Sequence, residues 1–180
     1  MVIGLIYTIT MFNANDLQIV KSPGTRLLFY SELRNSSGAT ATTKPGEPVK
    51  TGINTSDRFV ILLANGDPSF TGSSSDRFVG IAAVESTESA TVTGRCSVTT
   101  LRSGSMIEGR PTTSANMDTA SELDALIGGS VAFDLASGAF TIDEDEVSDP
   151  GSLGLIIVGG DLLNLTMLVM VNSRASIFGQ

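Results

Sequence analysis

The chain has 180 residues, which fits one domain or one domain with an arm, and its formal net charge is −8. Only 17% of the residues are charged, whereas Ser, Thr and Gly (22, 19 and 19 residues) together make up a third of the chain. Because 41% of the residues are hydrophobic, the composition excludes a disordered chain, and the many small uncharged residues favour a β-rich domain with many turns.

Several function classes are excluded by the residues that the chain lacks. Histidine is absent and Cys96 is the single cysteine, so there is no internal disulfide, no His-containing metal site and no His-based catalytic triad. The three lysines and eight scattered arginines argue against a nucleic-acid partner, because phosphate neutralisation needs clustered cations. The apolar stretches 1–12 and 153–171 do not match a membrane span, and no cofactor motif is found, so we expect no membrane partner and no cofactor.

The first part of the chain predicts short strands joined by turns. Residues 2–11 are rich in Val, Ile, Tyr and Thr, and the runs 17–20 and 27–30 are short and apolar. The character of the sequence changes after residue 43, where a Pro-Gly turn begins a series of short strands. We therefore expect residues 1–43 to form an N-terminal arm and residues 44–180 to form the β-rich domain.

Two strand candidates in the middle of the chain begin with the same pentapeptide. Ser-Asp-Arg-Phe-Val occurs at 56–60 and again at 75–79. The repeat predicts either two equivalent positions in one sheet or two independent strand starts. Residues 90–101 then alternate regularly, which predicts a half-buried antiparallel strand with Cys96 as a small core residue.

One helix is predicted, at residues 119–127. Asp118 or Thr119 can cap its first turn, and Glu122 lies where the helix dipole favours an acid. Gly128 follows the last apolar residue and can end the helix. The narrow apolar face predicts a helix that covers an open end of a barrel or sandwich.

A hairpin and an acidic loop are predicted next. Residues 131–142 alternate about a turn at Ser137-Gly138. The loop 143–149 contains the densest carboxylate cluster: Asp143, Glu144, Asp145 and Glu146. Three interpretations stay open for this loop, namely a solvated acidic segment, a calcium site and a docking patch for a basic partner.

A second hairpin is predicted at the end of the chain. Its strands are 153–158 and 161–172, with a turn at Gly159-Gly160. Both faces of the second strand are apolar, with Leu168 and Met170 on one of them, so this strand is expected in the core or at a subunit contact. With about nine short strands in all, the sequence predicts an all-β fold: an antiparallel β-sandwich or barrel with one short helix and an N-terminal arm.

Several local patterns resemble the capsid cement (decoration) proteins of tailed bacteriophages, over about residues 44–160. The segments that carry the resemblance are Pro45-Gly-Glu-Pro-Val49, Phe78-Val-Gly-Ile-Ala-Ala-Val84, the alternating strand 90–101, Gly129-Ser-Val-Ala-Phe-Asp-Leu-Ala-Ser-Gly-Ala-Phe-Thr141 and the stretch 154–158. The resemblance implies a non-enzymatic structural protein that is made in the bacterial host cytoplasm. It implies a place on the outer capsid surface of the virion, with the major capsid protein as partner and a homotrimer as assembly.

Capsid or subunit contacts are expected at the apolar N-terminal segment, at the acidic run and near the C terminus. The residues are Val2, Ile3, Leu5, Ile6, Tyr7, Asp143, Glu144, Asp145, Glu146, Leu168 and Met170. Two other functions remain open. One is a different β-rich binding module, such as a tail, fibre or cell-surface adhesive domain, and the other is a hydrolase that uses paired carboxylates.

Overall fold

The computed structural model describes residues 17–21, 26–33, 41–51, 59–63, 66, 68, 78–88, 94–136, 139–148 and 153–173. Within these ranges the fold is all-β and mostly antiparallel with one short helix, as the sequence predicts. The strands number thirteen in the described ranges rather than about nine, because several segments of only three or four residues also pair.

The strands in chain order are β1 Gln18–Lys21, β2 Arg26–Leu33, β3 Ala41–Thr43, β4 Pro48–Thr51, β5 Phe59–Leu62, β6 Phe78–Ala82, β7 Ser86–Glu88, β8 Gly94–Thr100, β9 Met106–Gly109, β10 Ser130–Ala136, β11 Ala139–Ser148, β12 Leu155–Asp161 and β13 Thr166–Val171. The helix α1 spans Ala120–Leu126 and follows a 3₁₀ turn at Ser114–Asn116.

Six strands form one antiparallel sheet in the order β1-β9-β13-β12-β10-β11. The chain that leaves β9 reaches the opposite edge strand, where Pro111 and Ile142 form a parallel bridge. The Ile142 amide donates to the Arg110 carbonyl at 2.8 Å, and the Thr112 amide donates to the Ile142 carbonyl at 2.9 Å. This sheet is therefore curled, and its β11 edge is tied back to the end of β9.

Five further strands form a closed barrel in the order β2-β5-β4-β6-β8. The β2–β5 pair is parallel and the other pairs are antiparallel. The two copies of Ser-Asp-Arg-Phe-Val lead into β5 and β6, which flank β4 on its two sides. Their positions are not equivalent, because β5 pairs in parallel with β2 whereas β6 pairs antiparallel with β8, and the structure favours two independent strand starts as the explanation of the repeat.

The barrel and the six-stranded sheet share a hydrophobic core. Ile81 of β6, Leu63 directly after β5 and Leu101 directly after β8 belong to the same buried cluster as the inner face of the sheet. That inner face includes Ile107 and Phe133, which are fully buried. Because each fully buried side chain of this kind stabilises the fold by about 1.5–3 kcal/mol, this cluster is the main link between the two layers.

The helix begins and ends where the sequence predicts. Thr119 caps it: the Thr119 hydroxyl accepts from the Glu122 amide at 3.3 Å, and the Glu122 carboxylate accepts from the Thr119 amide at 3.0 Å. This reciprocal pair satisfies two amides that would otherwise lack partners. Gly128 follows the helix with φ +89°, a left-handed conformation that favours glycine. Leu123 faces the core and is buried.

The final hairpin differs from the prediction. Gly159 and Gly160 lie within β12, opposite Leu168 and Met167, and the turn is at residues 162–165. The predicted turn at Gly159-Gly160 is therefore wrong. A Cβ on Gly160 would lie 2.7 Å from the Thr166 carbonyl oxygen and 3.2 Å from the Leu123 side chain, so glycine is needed here for close packing.

The described part of residues 1–43 is built into the sheets. Strand β1 pairs with β9, β2 pairs with β5 and β8, and β3 pairs with β7. The predicted division at residue 43 stays a prediction. The predicted strand 2–11 lies outside the described residues, together with its expected contact residues Val2, Ile3, Leu5, Ile6 and Tyr7. The side chain of Cys96 also lies outside the described part.

Candidate contact surface

The last strand, β13, alternates between two apolar faces. Met167, Val169 and Val171 are fully buried and point into the core. Leu168 and Met170, which the sequence predicts as contact residues, are half-buried on the opposite face. The strand thus has the two apolar faces that the sequence predicts, and only one of them is completely covered in this chain.

Neighbouring strands place more apolar side chains beside Leu168 and Met170. Met170 lies directly opposite Met106 of β9 and directly opposite Ile156 of β12. Because paired strands lie about 4.8 Å apart, the row Met106–Met170–Ile156 spans about 10 Å across the sheet. Leu168 lies two residues along β13 on the same face. We call these four residues, Met106, Ile156, Leu168 and Met170, the outer face.

The outer face departs from the usual pattern of an antiparallel sheet. When only one side of such a sheet packs on a core, the other side normally carries polar residues. Here the half-buried positions of β9 and β12 include Met106 and Ile156, and those of β13 include Leu168 and Met170. None of these four is among the exposed large hydrophobic residues in the described part of the chain, so each keeps only part of its apolar surface open for contact with another protein.

Sequence reasoning found Leu168 and Met170 and missed Met106 and Ile156. The alternation needed to find Met106 covers only four residues of β9, from Met106 to Gly109. That pattern is too short to separate from a loop, and the register across three strands is set by pairing between distant parts of the chain.

A carboxylate borders the outer face. Glu108 of β9 lies opposite Leu168, and the Thr166 hydroxyl donates to the Glu108 carboxylate at 2.6 Å. Thr166 is buried, so its hydroxyl gains a needed partner from this bond. The bond also holds the Glu108 charge at a fixed position beside the apolar cluster.

The acidic run is a strand and not a loop. Residues 143–148 continue β11, and Asp143 lies opposite Ala132 of β10. Asp143 and Glu144 are buried, whereas Asp145 is exposed, and the side chain of Glu146 lies outside the described part. The prediction of a solvated acidic loop is therefore wrong, and two of its four carboxylates offer little surface to a partner.

The buried carboxylate of Glu144 binds the segment of chain that follows β9. One carboxylate oxygen accepts from the Thr112 amide at 2.8 Å, and the other accepts from the Thr113 amide at 2.7 Å and from the Asn116 side chain at 3.2 Å. Burial raises the pKa of Glu144 above its ordinary value, although the amides of Thr113 and Thr112 act in the opposite direction. The side chain therefore fixes the loop 111–116 against β11.

Asp145 shares one of these partners. The second bond of the Asn116 amide group goes to the Asp145 carboxylate, at 2.6 Å, and the Asp145 amide donates to the Asp143 carboxylate at 3.2 Å.

In the described part of the chain, no group of three or more His, Cys, Asp or Glu side chains is arranged to hold a metal ion. Among the same residues, no helix is long and apolar enough to cross a membrane.

No protein-family model matches the chain, and no curated protein sequence matches it.

Proposed function

We propose that this protein is a capsid cement protein of a tailed bacteriophage, which binds the major capsid protein on the outer surface of the virion as a homotrimer. The observation that carries the proposal is the outer face, an apolar surface on the side of the sheet away from the core. The sequence resemblance over residues 44–160 supplies the class of assembly. In this proposal the chain is made in the host cytoplasm and stabilises the shell without a cofactor.

The outer face serves as the contact between copies of the chain. Its four side chains are already half-buried, so their complete burial would stabilise a contact by about 1 kcal/mol each. Association costs about 4–15 kcal/mol in lost freedom of motion, which is as large as the gain from this face. We therefore expect the free chain to associate weakly and the trimer to be completed on the shell.

A structural role agrees with the use of the carboxylates. Both oxygens of Glu144 accept hydrogen bonds from the chain's own loop 111–116, so this group is occupied in holding the fold. A hydrolase with paired carboxylates would need two such groups open to a substrate. Glu144 is therefore not available as a member of such a pair, and the role that we propose for the chain is binding.

A second candidate function is a β-rich adhesive module of a phage tail, a fibre or a cell surface. The same outer face supports it, because an apolar sheet face fits any large protein partner. The two functions differ in the location of the partner: a cement protein binds the shell at many equivalent positions, and an adhesive module does not.

The test is binding to empty expanded shells assembled from the major capsid protein of the same genome. The purified chain is mixed with these shells, and the bound protein is quantified after sedimentation through a gradient. We expect saturable binding at a fixed ratio to the shell protein and a higher temperature of shell disruption. Absence of binding at concentrations that saturate known cement proteins would refute the proposal.

Two matched variants test the role of the outer face. Leu168→Lys places a charge in the outer face, whereas Leu135→Lys places one at an exposed leucine of β10. If the outer face joins copies of the chain, Leu168→Lys lowers occupancy on the shell and Leu135→Lys leaves it unchanged. Equal occupancy for both variants would show that copies meet through another surface.

A further inference from the structure

The turn between β12 and β13 is held by one carboxylate. Asp161 accepts from the Leu163 amide at 2.8 Å and from the Asn164 amide at 3.3 Å, and its second oxygen accepts from the Asn164 side chain at 2.7 Å. These bonds close the turn, because the side chain of Asp satisfies the backbone amides of residues two and three positions further along the chain. We call residues 162–165 the tip.

Both ends of the tip are also anchored. Leu162 packs against the main core cluster, and Leu165 adopts a left-handed conformation with φ +50°. Thr166, directly after the tip, lies opposite Asp161 and is tied to Glu108 by its hydroxyl. A non-glycine residue in the left-handed region is uncommon and persists only where the surroundings fix the backbone. The tip therefore has one defined conformation.

This fixed tip presents Leu163 to solvent. The side chain of Leu163 is 91% exposed, whereas the other exposed large hydrophobic residues in the described part of the chain are 44–53% exposed. The turn uses the amide of Leu163, which any residue except proline would supply. The leucine side chain thus contributes little to the fold, although it stands on a rigid support.

We propose that Leu163 inserts into an apolar pocket of the shell protein, bordered by a basic side chain, and so positions each copy on the capsid. This inference rests on the proposed function. A leucine on a rigid support loses little conformational freedom on binding, so most of its burial energy appears as affinity. The adjacent Asp161 supplies the complementary charge for the border of the pocket.

The chemistry of the tip favours a protein pocket over a lipid surface. Hydrogen bonds from the Asn164 side chain and from the amides of Leu163 and Asn164 lower the pKa of Asp161, so its carboxylate stays charged at neutral pH. The whole chain also has a net charge of −8. Anionic membrane surfaces repel such a protein, whereas a basic border around an apolar pocket attracts it.

The experiment measures the affinity of variants for the empty shells by co-sedimentation titration. Leu163→Asn removes the apolar side chain and keeps the backbone amide that Asp161 binds, and Leu163→Met restores an apolar side chain of similar volume. Ile127→Asn is the matched control, because Ile127 is another exposed apolar residue, at the end of α1. Equal melting temperatures for all four proteins verify that the variants fold.

We expect Leu163→Asn to bind about 10- to 100-fold more weakly, which corresponds to about 1.5–3 kcal/mol for one buried leucine at 1.4 kcal/mol per tenfold change. Leu163→Met and Ile127→Asn should bind within about threefold of the wild type, a difference below 1 kcal/mol.

The remaining outcomes distinguish failure of the inference about Leu163 from failure of the proposed function. If the wild type binds the shells and Leu163→Asn binds equally well, the tip inference is wrong and the proposed function stands. If Leu163→Asn changes only the self-association of the free chain, the tip contacts a second copy and the shell pocket is wrong. If the wild type does not bind the shells at all, the proposed function and the inference both fail.

Discussion

Replacing Glu144 by alanine should destabilise the protein, because it removes the hydrogen bonds that hold the loop between β9 and the helix. The carboxylate accepts hydrogen bonds from the Thr112 amide, the Thr113 amide and the Asn116 side chain, and the residue is only 3% exposed. Alanine removes the hydrogen bond between the Thr112 amide and a charged group, which contributes about 1.5–3 kcal/mol, and leaves this half-buried amide with the Ile142 carbonyl at 2.9 Å as its remaining acceptor. The exposed Thr113 can recover a bond to water, so its loss is expected to be at most about 1 kcal/mol.

The expected net destabilisation is about 2–3 kcal/mol, because removing the buried charge also relieves part of the desolvation that raises the pKa of Glu144. For a chain of 180 residues this lowers the melting temperature by roughly 5–10 °C. Differential scanning calorimetry at pH 7 measures the shift, with Asp145→Ala as the control, since Asp145 is exposed and should change it by less than about 2 °C. A Glu144→Ala melting temperature within 1 °C of the wild type would refute the structural role of this carboxylate.

Three further predictions concern stability and are each measured by urea denaturation. Gly80→Ala should cost about 3 kcal/mol, because the new Cβ would collide with the Thr99 carbonyl oxygen, whereas Gly159→Ala should be nearly neutral, because its Cβ meets no atom within 4 Å. Equal stability of these two variants would contradict the barrel packing. In the described part of the chain, the buried Ser86 hydroxyl finds no hydrogen-bond partner, so Ser86→Ala should stabilise the protein by about 1 kcal/mol, and a loss of stability would mean that the hydroxyl is paired. Because burial raises the pKa of Glu144, the folded protein binds the Glu144 proton more tightly than the unfolded chain does. The resulting stabilisation is fully present below pH 4.5 and is lost as the pH rises through the raised pKa. The stability of the wild type relative to Glu144→Gln should therefore fall over that range, and a rise would contradict the direction of the shift.

Local signals predicted the elements whose partners are near in sequence. The helix 120–126 follows from Thr119, Glu122 and Gly128, which act within one or two turns. Strands β10 and β11 pair from Ala132–Asp143 to Ala136–Ala139, as their alternation predicts. In both cases the residues that decide the structure lie within about a dozen positions of one another.

The predictions for the acidic run and for the final turn were wrong because both structures depend on contacts with residues far away in the sequence. Glu144 can occupy a buried position in a strand because its carboxylate accepts hydrogen bonds from the Thr112 and Thr113 amides, more than 30 residues earlier in the chain. Gly160 is a packing position and not a turn, because Leu123 approaches it from the helix. The sequence did hold a signal for the true turn, since Asp161 followed by Asn164 is typical of a turn closed by an Asp side chain.

The outer face was only half predictable. Leu168 and Met170 stand out as apolar residues on the second face of a strand that is buried on its first face. Their neighbours Met106 and Ile156 come from strands about 60 and 14 residues away, and the register that aligns them is a property of the folded sheet. The periodicity of one strand therefore identifies the contact residues of that strand and not those of the strands that pair with it.

Cryo-electron microscopy of the empty shells after incubation with the chain tests the central claim most directly. The proposed function predicts added density on the outer shell surface, in groups of three copies that meet through β9, β13 and β12. The same map should place the tip at Leu163 against the shell protein. Shells without added density, or density restricted to a tail or a fibre of complete particles, would contradict the assignment as a capsid cement protein.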